Sequence, residues 1–242
     1  MALLSTYYLP GLCVEDHAVD VPLDWRGTSP ALLAGVDDPE PSRLCAASAD
    51  LKPDPAFAGK KIRLFYRTVC LPQNVGRDLP AIVYLQGGPG GAGPRVLDAQ
   101  TDGWLAEAVK YFRVVLPDQR GTGRSSAVDG HRMDQLRKEA LACGADPARL
   151  QANYLKRFLA DSIVRDFEYL RLTEFGGARW VTLGQSYGGF LTLCNLSTFP
   201  HGVDASFVGG GIPHVPARAK DVYAHTFPRM VSKTNAWYEK YP

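Results

Sequence analysis

The chain has 242 residues, of which 45% are hydrophobic and 21% are charged, and its formal net charge is +2. These values are close to those of an average globular protein, so the chain can bury a core as one domain, or as one domain with a small appendage. Since the charge is nearly balanced and no long run of either sign occurs, neither a nucleic acid nor an anionic membrane is expected as a partner.

Two further features bear on where the protein works. No apolar stretch approaches the ~18 residues that a membrane-spanning helix needs, and the N-terminal residues lack the basic and long apolar regions of a signal peptide. The cysteines are scattered and form no C-x-x-C pair; they are Cys13, Cys45, Cys70, Cys143 and Cys194. Unpaired thiols of this kind are typical of a reducing compartment, so we expect a cytoplasmic protein.

The predicted elements of the first half are mostly strands. Residues 7–25 show a weak strand pattern, and the segment 26–60, rich in Pro, Ala, Asp and Gly, resembles an irregular surface insertion. Residues 62–69 alternate between apolar and polar side chains, as a half-exposed strand does. Residues 81–85 form a continuous apolar run, which predicts a strand buried on both faces, and the glycine-rich segment 86–91 follows it.

The second half alternates helices with strands. Helices are predicted at about 102–111 and 147–174, and Asp161-Ser162 is a candidate for a new helix N-terminus inside the longer stretch. Strands are predicted at 112–116, 180–183 and 205–210. Such alternation predicts an α/β fold, in which a parallel sheet has helices on both faces.

The tail from residue 214 has a different character. It carries an apolar helical stripe made of Val222, Tyr223, Thr226, Phe227, Met230 and Val231, followed by Trp237, Tyr238 and Tyr241. Pro228 lies inside the stripe and is expected to break or kink the helix. Two interpretations stay open: the stripe begins an element that packs on residues beyond this chain, or it is a helix docked on the preceding domain.

The most informative motif is Gly184-Gln185-Ser186-Tyr187-Gly188-Gly189, directly after the predicted strand 180–183. A strand, a sharp turn with serine at its apex and a helix start are the G-x-S-x-G nucleophile elbow. Glycine suits Gly184 and Gly188 because a Cβ there would collide with the neighbouring strand or helix. The elbow exposes the Ser186 hydroxyl above the sheet, and the N–H of Tyr187 at the helix N-terminus can stabilise an oxyanion.

Two other polar segments follow earlier strands. The consecutive glycines of 86–91 let the backbone approach a reacting carbonyl and direct an N–H at its developing charge; a simple glycine-rich turn is the alternative. Residues 118–125 form a tight polar turn, in which Asp118 and Arg120 are expected to form a local salt-bridged scaffold. Both segments and the elbow lie at the carboxyl ends of predicted strands, where open α/β sheets build their sites.

Together, Gln86-Gly87-Gly88-Pro89-Gly90, Asp118-Gln119-Arg120-Gly121-Thr122-Gly123-Arg124-Ser125 and the elbow resemble the proline iminopeptidases, a serine-peptidase branch of the α/β-hydrolase fold. The resemblance extends from about residue 60 to the end of the chain. The family's glycine loop usually begins with His; Gln86 stands there instead and is similar to the longer bacterial form of the enzyme. The resemblance implies an α/β-hydrolase fold, incomplete at the C-terminus, with the start of a helical cap.

The resemblance also implies a role for each motif residue. Ser186 would be the nucleophile, and the N–H groups of Gly88 and Tyr187 would form the oxyanion hole. The elbow and its loops would be supported by Gly87, Pro89, Gly184, Gln185, Gly188, Asp118 and Arg120. The family releases N-terminal proline from peptides by acyl-enzyme hydrolysis, so such peptides are the expected substrates, and it uses neither a metal nor an organic cofactor.

A serine nucleophile needs a base and an orienting carboxylate, which in this fold follow it in the order Asp or Glu, then His. After Ser186 the only histidines are His201, expected in a surface turn, His214, after a strand, and His225, in the tail helix. None fits the base, and Asp204 and Asp221 fit the acid no better. Glu239 is a remote candidate for binding the substrate amine.

We therefore expect that residues 1–213 are the N-terminal part of the catalytic domain and that residues 214–242 begin the cap, with the acid and base beyond Pro242. Two other interpretations stay open: an esterase or other acyl hydrolase of the same fold, and a non-catalytic truncated module. Enzymes with Asp at the elbow, such as epoxide hydrolases, are disfavoured by Ser186. A phosphate loop is disfavoured because 87–91 matches neither glycine signature and Pro89 has no N–H.

Overall fold

The computed structural model describes residues 2–28, 44, 52–100, 103–211 and 219–241. The chain divides into two compact units, Met1–Gly211 and Ile212–Pro242.

The first unit is built on a seven-stranded sheet with the order β1-β2-β3-β5-β4-β6-β7. Its strands are β1 Ala2–Leu9, β2 Leu12–Pro22, β3 Lys61–Cys70, β4 Ala81–Leu85, β5 Arg113–Pro117, β6 Trp180–Gln185 and β7 Val203–Gly209. Strands β5, β4, β6 and β7 are parallel, whereas β1, β2, β3 and β5 pair as antiparallel neighbours. The predicted parallel sheet is therefore present, and the N-terminal strands extend it as an antiparallel half.

Helices connect the parallel strands. In the described residues of the first unit they are α1 Gly103–Tyr111, α2 Gly130–Ala142, α3 Pro147–Leu155, α4 Ala160–Glu174 and α5 Tyr187–Thr198. Single 3-10 turns occur at Trp25–Gly27, Pro55–Phe57, Pro72–Asn74, Lys156–Phe158 and Pro200–Gly202. The second unit contains α6, Ala219–Lys240.

The two faces of β4 show how the sheet is covered. Ile82 and Tyr84 belong to a buried cluster that includes Leu105 and Val109 of α1. Because side chains alternate along a strand, Val83 and Leu85 point to the other face. Both are buried, and the α5 backbone lies close to the Leu85 carbonyl. The predicted burial of this strand on both faces is confirmed, and its C-terminal end is placed beside the start of α5.

Most strands agree with the sequence pattern to within two residues, and the differences have local causes. The weak pattern of 7–25 is a hairpin of two strands, because Pro10-Gly11 turns the chain and Gly11 adopts a φ of 75°. The helical stretch 147–174 is two helices, separated by the turn Lys156–Phe158. Helix α2 has no counterpart among the predicted elements.

The segment 26–60 is only partly described, and the prediction of a surface insertion is wrong at two positions in it. Leu44 and Phe57 are each 1% exposed. Phe57 packs edge-on against Tyr154 of α3, with ring centroids 5.8 Å apart. Part of this segment therefore contributes to the core. Residues 29–43 and 45–51 lie outside the described residues.

Helix α6 continues through Pro228, so of the predicted break or kink at this residue the break is wrong. The fixed φ of proline, about −65°, is compatible with a helix, although its ring removes one backbone hydrogen bond. The predicted stripe is exposed, with Tyr223, Phe227, Met230 and Trp237 between 54% and 69% accessible. Residues 214–218 lie outside the described residues. In the described ranges no helix is both long and apolar enough to cross a membrane.

Candidate active site

The turn between β6 and α5 holds Ser186 in a backbone conformation that side chains rarely adopt. Its φ is 57° and its ψ is −120°, and in the described part of the chain no other non-glycine residue has a positive φ. The Ser186 N–H donates to the Gly209 carbonyl at 2.8 Å, and its carbonyl accepts from the Gly189 N–H at 3.0 Å. Such strain persists only where surrounding structure enforces it, and it is a frequent feature of functional sites.

The glycines on either side of Ser186 are required by close packing. A Cβ on Gly184 would lie 2.2 Å from the Gly188 carbonyl oxygen, and a Cβ on Gly188 would lie 1.7 Å from the Leu85 carbonyl oxygen. Real Cβ atoms do not approach backbone that closely. The collision expected from the sequence is therefore present at both positions, and it brings the start of α5 against the end of β4.

Ser186 is exposed, although Gly184 and Gly188 are buried. Tyr187 is the first residue of α5, so its N–H has no acceptor in a preceding helical turn. Burial, followed by the nearby Cys194 and Asp161, raises the pKa of the Tyr187 phenol to about 12. The phenol therefore stays protonated near neutral pH, and the charge at this point comes from the helix N-terminus, which is favourable for an anion.

The glycine loop after β4 touches the elbow directly. A Cβ on Gly87 would lie 2.8 Å from the Gln185 carbonyl oxygen and 3.2 Å from the Ser186 Cβ. Gly88 follows with a φ of 118° and precedes Pro89 through a cis peptide bond. The predicted oxyanion donor Gly88 is thus one residue from the contact with the elbow, so the loop and the elbow form one site.

The polar turn after β5 holds both ends of this loop. Asp118 accepts hydrogen bonds from the N–H groups of Gly93 and Arg124, each at 2.7 Å. Gln119 donates from Nε2 to the Gln86 carbonyl oxygen, also at 2.7 Å. Asp118 therefore supports the loop through backbone N–H groups rather than through a salt bridge.

The expected local ion pair between Asp118 and Arg120 is wrong. Arg120 instead forms a two-point contact with Asp166 of α4, with Nε donating to Oδ2 at 2.6 Å, and neither side chain is exposed. Trp25 Nε1 also donates to Asp166, and Arg120 donates to the carbonyls of Pro22, Leu23 and Arg157. A guanidinium has five donors in a rigid fork, so it can join a strand end, a helix and a turn at once.

A second charged cluster ties the polar turn to the N-terminal hairpin. Arg124 and Arg67 both donate to the carboxylate of Asp16 on β2, and the Arg124 guanidinium lies 4.1 Å from the Phe65 ring centre. Burial by itself would raise the pKa of Asp16, but hydrogen bonds from Arg67 and Arg124 hold that pKa below its ordinary value. The polar turn is therefore connected to β2 by ionised groups.

Beside Ser186 lies a cavity of about 390 Å³. Its walls are the elbow, Gly209, Gly210 and Leu183, and the aromatic pair Tyr84 and Trp104. The rings of this pair are stacked, with centroids 5.1 Å apart. The cavity is mainly apolar with a hydroxyl and backbone groups at one side, which suits an apolar part of a substrate or of the protein itself.

The candidates for the base and acid are not brought to Ser186. His201 is exposed in the turn after α5, as expected, and Asp204 is exposed near the start of β7, 3.8 Å from Arg179. Asp221 and Glu239 are exposed on α6. His214 lies outside the described residues, as does the side chain of His225. In the described ranges, no histidine or carboxylate forms a hydrogen bond with Ser186, and no group of His, Cys, Asp or Glu could hold a metal.

The arrangement can carry out one half of an acyl transfer. An exposed hydroxyl lies at a strained turn, a helix N–H follows it, and a glycine loop is packed against it. These are the parts that attack a carbonyl and stabilise the resulting negative charge. A model of the α/β hydrolase fold family matches residues 80–239, and this chain belongs to that family.

Two curated relatives are similar over most of the chain. A proline iminopeptidase of Aeromonas sobria is 35% identical over 236 residues, covering 98% of this chain and 46% of that protein. The proline iminopeptidase aneH of Aspergillus aculeatus is 34% identical over 188 residues, covering 75% of this chain and 39% of that protein. The resemblance inferred from the three motifs is thus confirmed, and the chain spans less than half the length of these relatives.

Among solved structures, a hydrolase from Pseudomonas aeruginosa PA01 superposes with a TM-score of 0.43 at 16% identity. The superposition covers 75% of this chain and 55% of that one. The fold assignment does not depend on this similarity, because the family match and the strand order support it independently.

Sequence reasoning did not identify the contacts of four residues that build the site. Gln119 lay inside a recognised motif, but nothing in the pattern says which atom its amide contacts. Asp166 had a usable signal, since a carboxylate within the apolar face of α4 needs a buried cation. The stacking of Tyr84 on Trp104 had no signal in the sequence, because it joins a strand and a helix across a loop.

Proposed function

We propose that this chain is the nucleophile-bearing part of a serine aminopeptidase that releases N-terminal proline from peptides. One observation carries the proposal: the strained, exposed Ser186 lies against a glycine loop in a chain that is 35% identical over 98% of its length to a proline iminopeptidase. The proposed substrates are peptides with a free N-terminal proline, and neither a metal nor an organic cofactor takes part.

In the proposed reaction the Ser186 hydroxyl oxygen attacks the carbonyl carbon of the N-terminal residue, and a base takes the hydroxyl proton. The N–H groups of Gly88 and Tyr187 stabilise the negative oxygen of the tetrahedral intermediate. The intermediate collapses, the C–N bond breaks and the peptide amine leaves with the proton, which leaves an ester on Ser186. Water then hydrolyses the ester and releases proline.

The proposal places the base and the carboxylate that orients it outside the described part of the chain. Support comes from two carboxylates near the polar turn, those of Asp16 and Asp166. Both are occupied by arginines, so neither is available to orient a histidine. We also propose that residues 1–213 belong to the catalytic domain and that residues 214–242 begin a cap, which the exposed aromatic stripe of α6 supports.

A cytoplasmic location is part of the proposal. It is supported by the thiols, since Cys13, Cys70, Cys143 and Cys194 are all unpaired. Unpaired cysteines are typical of reducing compartments. Cell fractionation followed by immunoblotting tests this location, and recovery of the protein in the periplasmic or secreted fraction would argue against it.

The decisive experiment compares Ser186→Ala with Ser197→Ala in the natural protein that carries this chain. Ser197 is an exposed serine on the same helix, α5, whose hydroxyl donates to the Leu193 carbonyl at 2.8 Å. With a prolyl arylamide as substrate, we expect Ser186→Ala to lower kcat/KM by a factor on the order of 10⁴ to 10⁶. Ser197→Ala should change it less than about twofold, since exposed substitutions away from a site have small effects.

Three results would contradict the proposal. Unchanged turnover in Ser186→Ala would remove Ser186 from the mechanism. Rapid hydrolysis of short-chain esters without cleavage of prolyl arylamides would identify an esterase or other acyl hydrolase instead. No turnover of either substrate by the wild type, together with no labelling of Ser186 by a fluorophosphonate, would identify a non-catalytic module.

A further inference from the structure

We propose that Gln119 is a positioning residue that sets the direction of the oxyanion loop, through a single hydrogen bond to the loop's first carbonyl. The inference rests on the proposed function only to the extent that Ser186 performs acyl transfer. It does not depend on whether the acyl group is proline.

The contact is short, and the side chain that donates it is buried. Gln119 is 2% exposed, and its Nε2 donates to the Gln86 carbonyl oxygen at 2.7 Å across 33 residues of sequence. The carbonyl of Gln119 accepts from both the N–H and the hydroxyl of Thr122, at 3.0 and 2.9 Å. The backbone that carries the amide is therefore fixed by its own turn, so the side chain acts as a rigid strut.

The loop needs such external support because its glycine-rich backbone does not by itself fix one conformation. Gly87, Gly88, Gly90 and Gly91 lie between Gln86 and Gly93, and Gly88 and Gly90 have φ values of 118° and 99°. Glycine allows a much wider range of conformations than any other residue. The end of this segment is held by Asp118, which accepts from the Gly93 N–H. Adjacent residues of one turn thus hold the two ends of the loop.

The hydrogen bond acts on the peptide unit that leads into Gly87, the loop residue that contacts the elbow. The Gln86 carbonyl and the Gly87 N–H belong to one planar unit, and Gly87 packs so closely against the elbow that a Cβ on it would lie 2.8 Å from the Gln185 carbonyl oxygen. Rotation of this unit would therefore move the next N–H, that of Gly88. Oxyanion donors act at 2.7–3.1 Å, so even a displacement of about 1 Å weakens the stabilisation of the transition state.

The amide is chemically suited to this task. It is a neutral donor, so it can be fully buried without the desolvation penalty of a charge. An apolar side chain of the same length would leave the Gln86 carbonyl without this donor, and an ionised carboxylate would place like partial charges against each other. The strut should therefore affect the transition state, where negative charge develops, far more than the binding of an uncharged substrate.

The test measures kcat and KM separately for Gln119→Leu in the natural protein. The matched control is Gln151→Leu, because Gln151 also donates from Nε2 to a backbone carbonyl, that of Met133, at 2.9 Å. We expect kcat for Gln119→Leu to fall roughly 10- to 100-fold, less than for loss of an oxyanion donor itself, with KM changing less than about threefold. Binding of prolyl boronic acid, which forms a tetrahedral adduct on serine, should weaken by a similar factor.

A second variant, Gln119→Glu, adds a readout that a purely structural role would not produce. A buried carboxyl has a raised pKa and is neutral at low pH, and the neutral form can donate to the Gln86 carbonyl. The ratio of variant to wild-type kcat should therefore rise as the pH falls. A ratio independent of pH, or a change in KM alone, would overturn the proposal.

The remaining outcomes are also decisive. Equal losses of kcat in Gln119→Leu and Gln151→Leu, or failure of both Gln119 variants to fold, would assign Gln119 to the stability of the turn and overturn the proposal. If the wild type hydrolyses p-nitrophenyl acetate but no prolyl arylamide, the proposed substrate is wrong, and the same comparison on the ester still decides the role of Gln119. A wild type inactive on both substrates would refute both proposals.

Discussion

Helices α4 and α6 look alike in sequence and differ completely in burial. Each has apolar side chains at three- and four-residue steps with charged residues between them. On α4, Ile163, Val164, Phe167 and Leu170 are at most 4% exposed. On α6, Tyr223, Phe227, Met230 and Trp237 are at least 54% exposed.

The difference shows that periodicity decides which face of a helix is apolar, whereas a neighbouring surface decides whether that face is buried. Helix α4 is held by the buried contact of Asp166 with Arg120 as well as by apolar packing. The α6 stripe is exposed in the described residues. Large exposed apolar patches are typical of interaction surfaces.

The sharpest test of the comparison replaces one phenylalanine on each helix. Phe167 is 1% exposed and Phe227 is 63% exposed. In the 242-residue chain we expect Phe167→Ala to lower the free energy of unfolding by about 4 kcal/mol, through lost burial and a cavity. Phe227→Ala should change it by less than about 0.5 kcal/mol. Urea denaturation followed by circular dichroism measures both, and an equal loss in the two variants would mean that α6 is packed.

Arg120→Met tests the polar part of the α4 contact. It leaves the Asp166 carboxylate buried without its cation, so we expect a loss of about 3 kcal/mol in unfolding free energy. Arg63→Met is the control, because Arg63 is exposed on β3. The double variant Arg120→Met with Asp166→Leu should recover part of the loss. If Arg120→Met behaves like the control, the ion pair does not hold α4 in place.

Gly188→Ala extends the comparison to α5, where the helix backbone itself contacts the sheet. The added methyl would lie 1.7 Å from the Leu85 carbonyl oxygen, so we expect a loss of about 2 kcal/mol from forced displacement. Gly209→Ala is the control, because a Cβ on Gly209 would lie no closer than 3.8 Å to any other atom. Thermal unfolding of the two variants separates them, and equal melting temperatures would contradict the close approach.

Asp16→Asn gives the smallest effect on stability, and this effect depends on pH. Asp16 has a lowered pKa in the folded state. Its contribution is therefore present above the unfolded pKa, about 3.9, and is lost as the pH falls through the lower folded value. At pH 7 we expect a loss of about 1.5 kcal/mol, as for hydrogen bonds to charged groups.

The difference between Asp16→Asn and the wild type should narrow below about pH 4. The control is Asp134→Asn, whose carboxylate is 69% exposed and whose ion pair contributes little. Urea midpoints measured from pH 3 to pH 7 test this. A constant difference across that range would show that the arginine contacts do not lower the pKa of Asp16.

Much of the fold and part of the site followed from local sequence. The apolar run at 81–85 correctly predicted a buried strand, and Gly184, Ser186 and Gly188 specify the elbow because its geometry is decided within a few residues. Of the break or kink predicted at Pro228, the break was wrong, because α6 continues through this residue. The local pairing of Asp118 with Arg120 was predicted wrongly because proximity in sequence does not choose between partners for a buried guanidinium.

The sequence by itself indicated the alternation of strands and helices, the apolar faces of α4 and α6, and Ser186 as the candidate nucleophile, because these depend on short-range sterics and periodicity. Only the tertiary structure decided that Arg120 reaches Asp166, that Gln119 reaches Gln86, and that one apolar stripe is buried while the other is exposed. These contacts join residues that are distant in the chain. Their free energy depends on distances and exclusion of water that no short stretch of sequence contains.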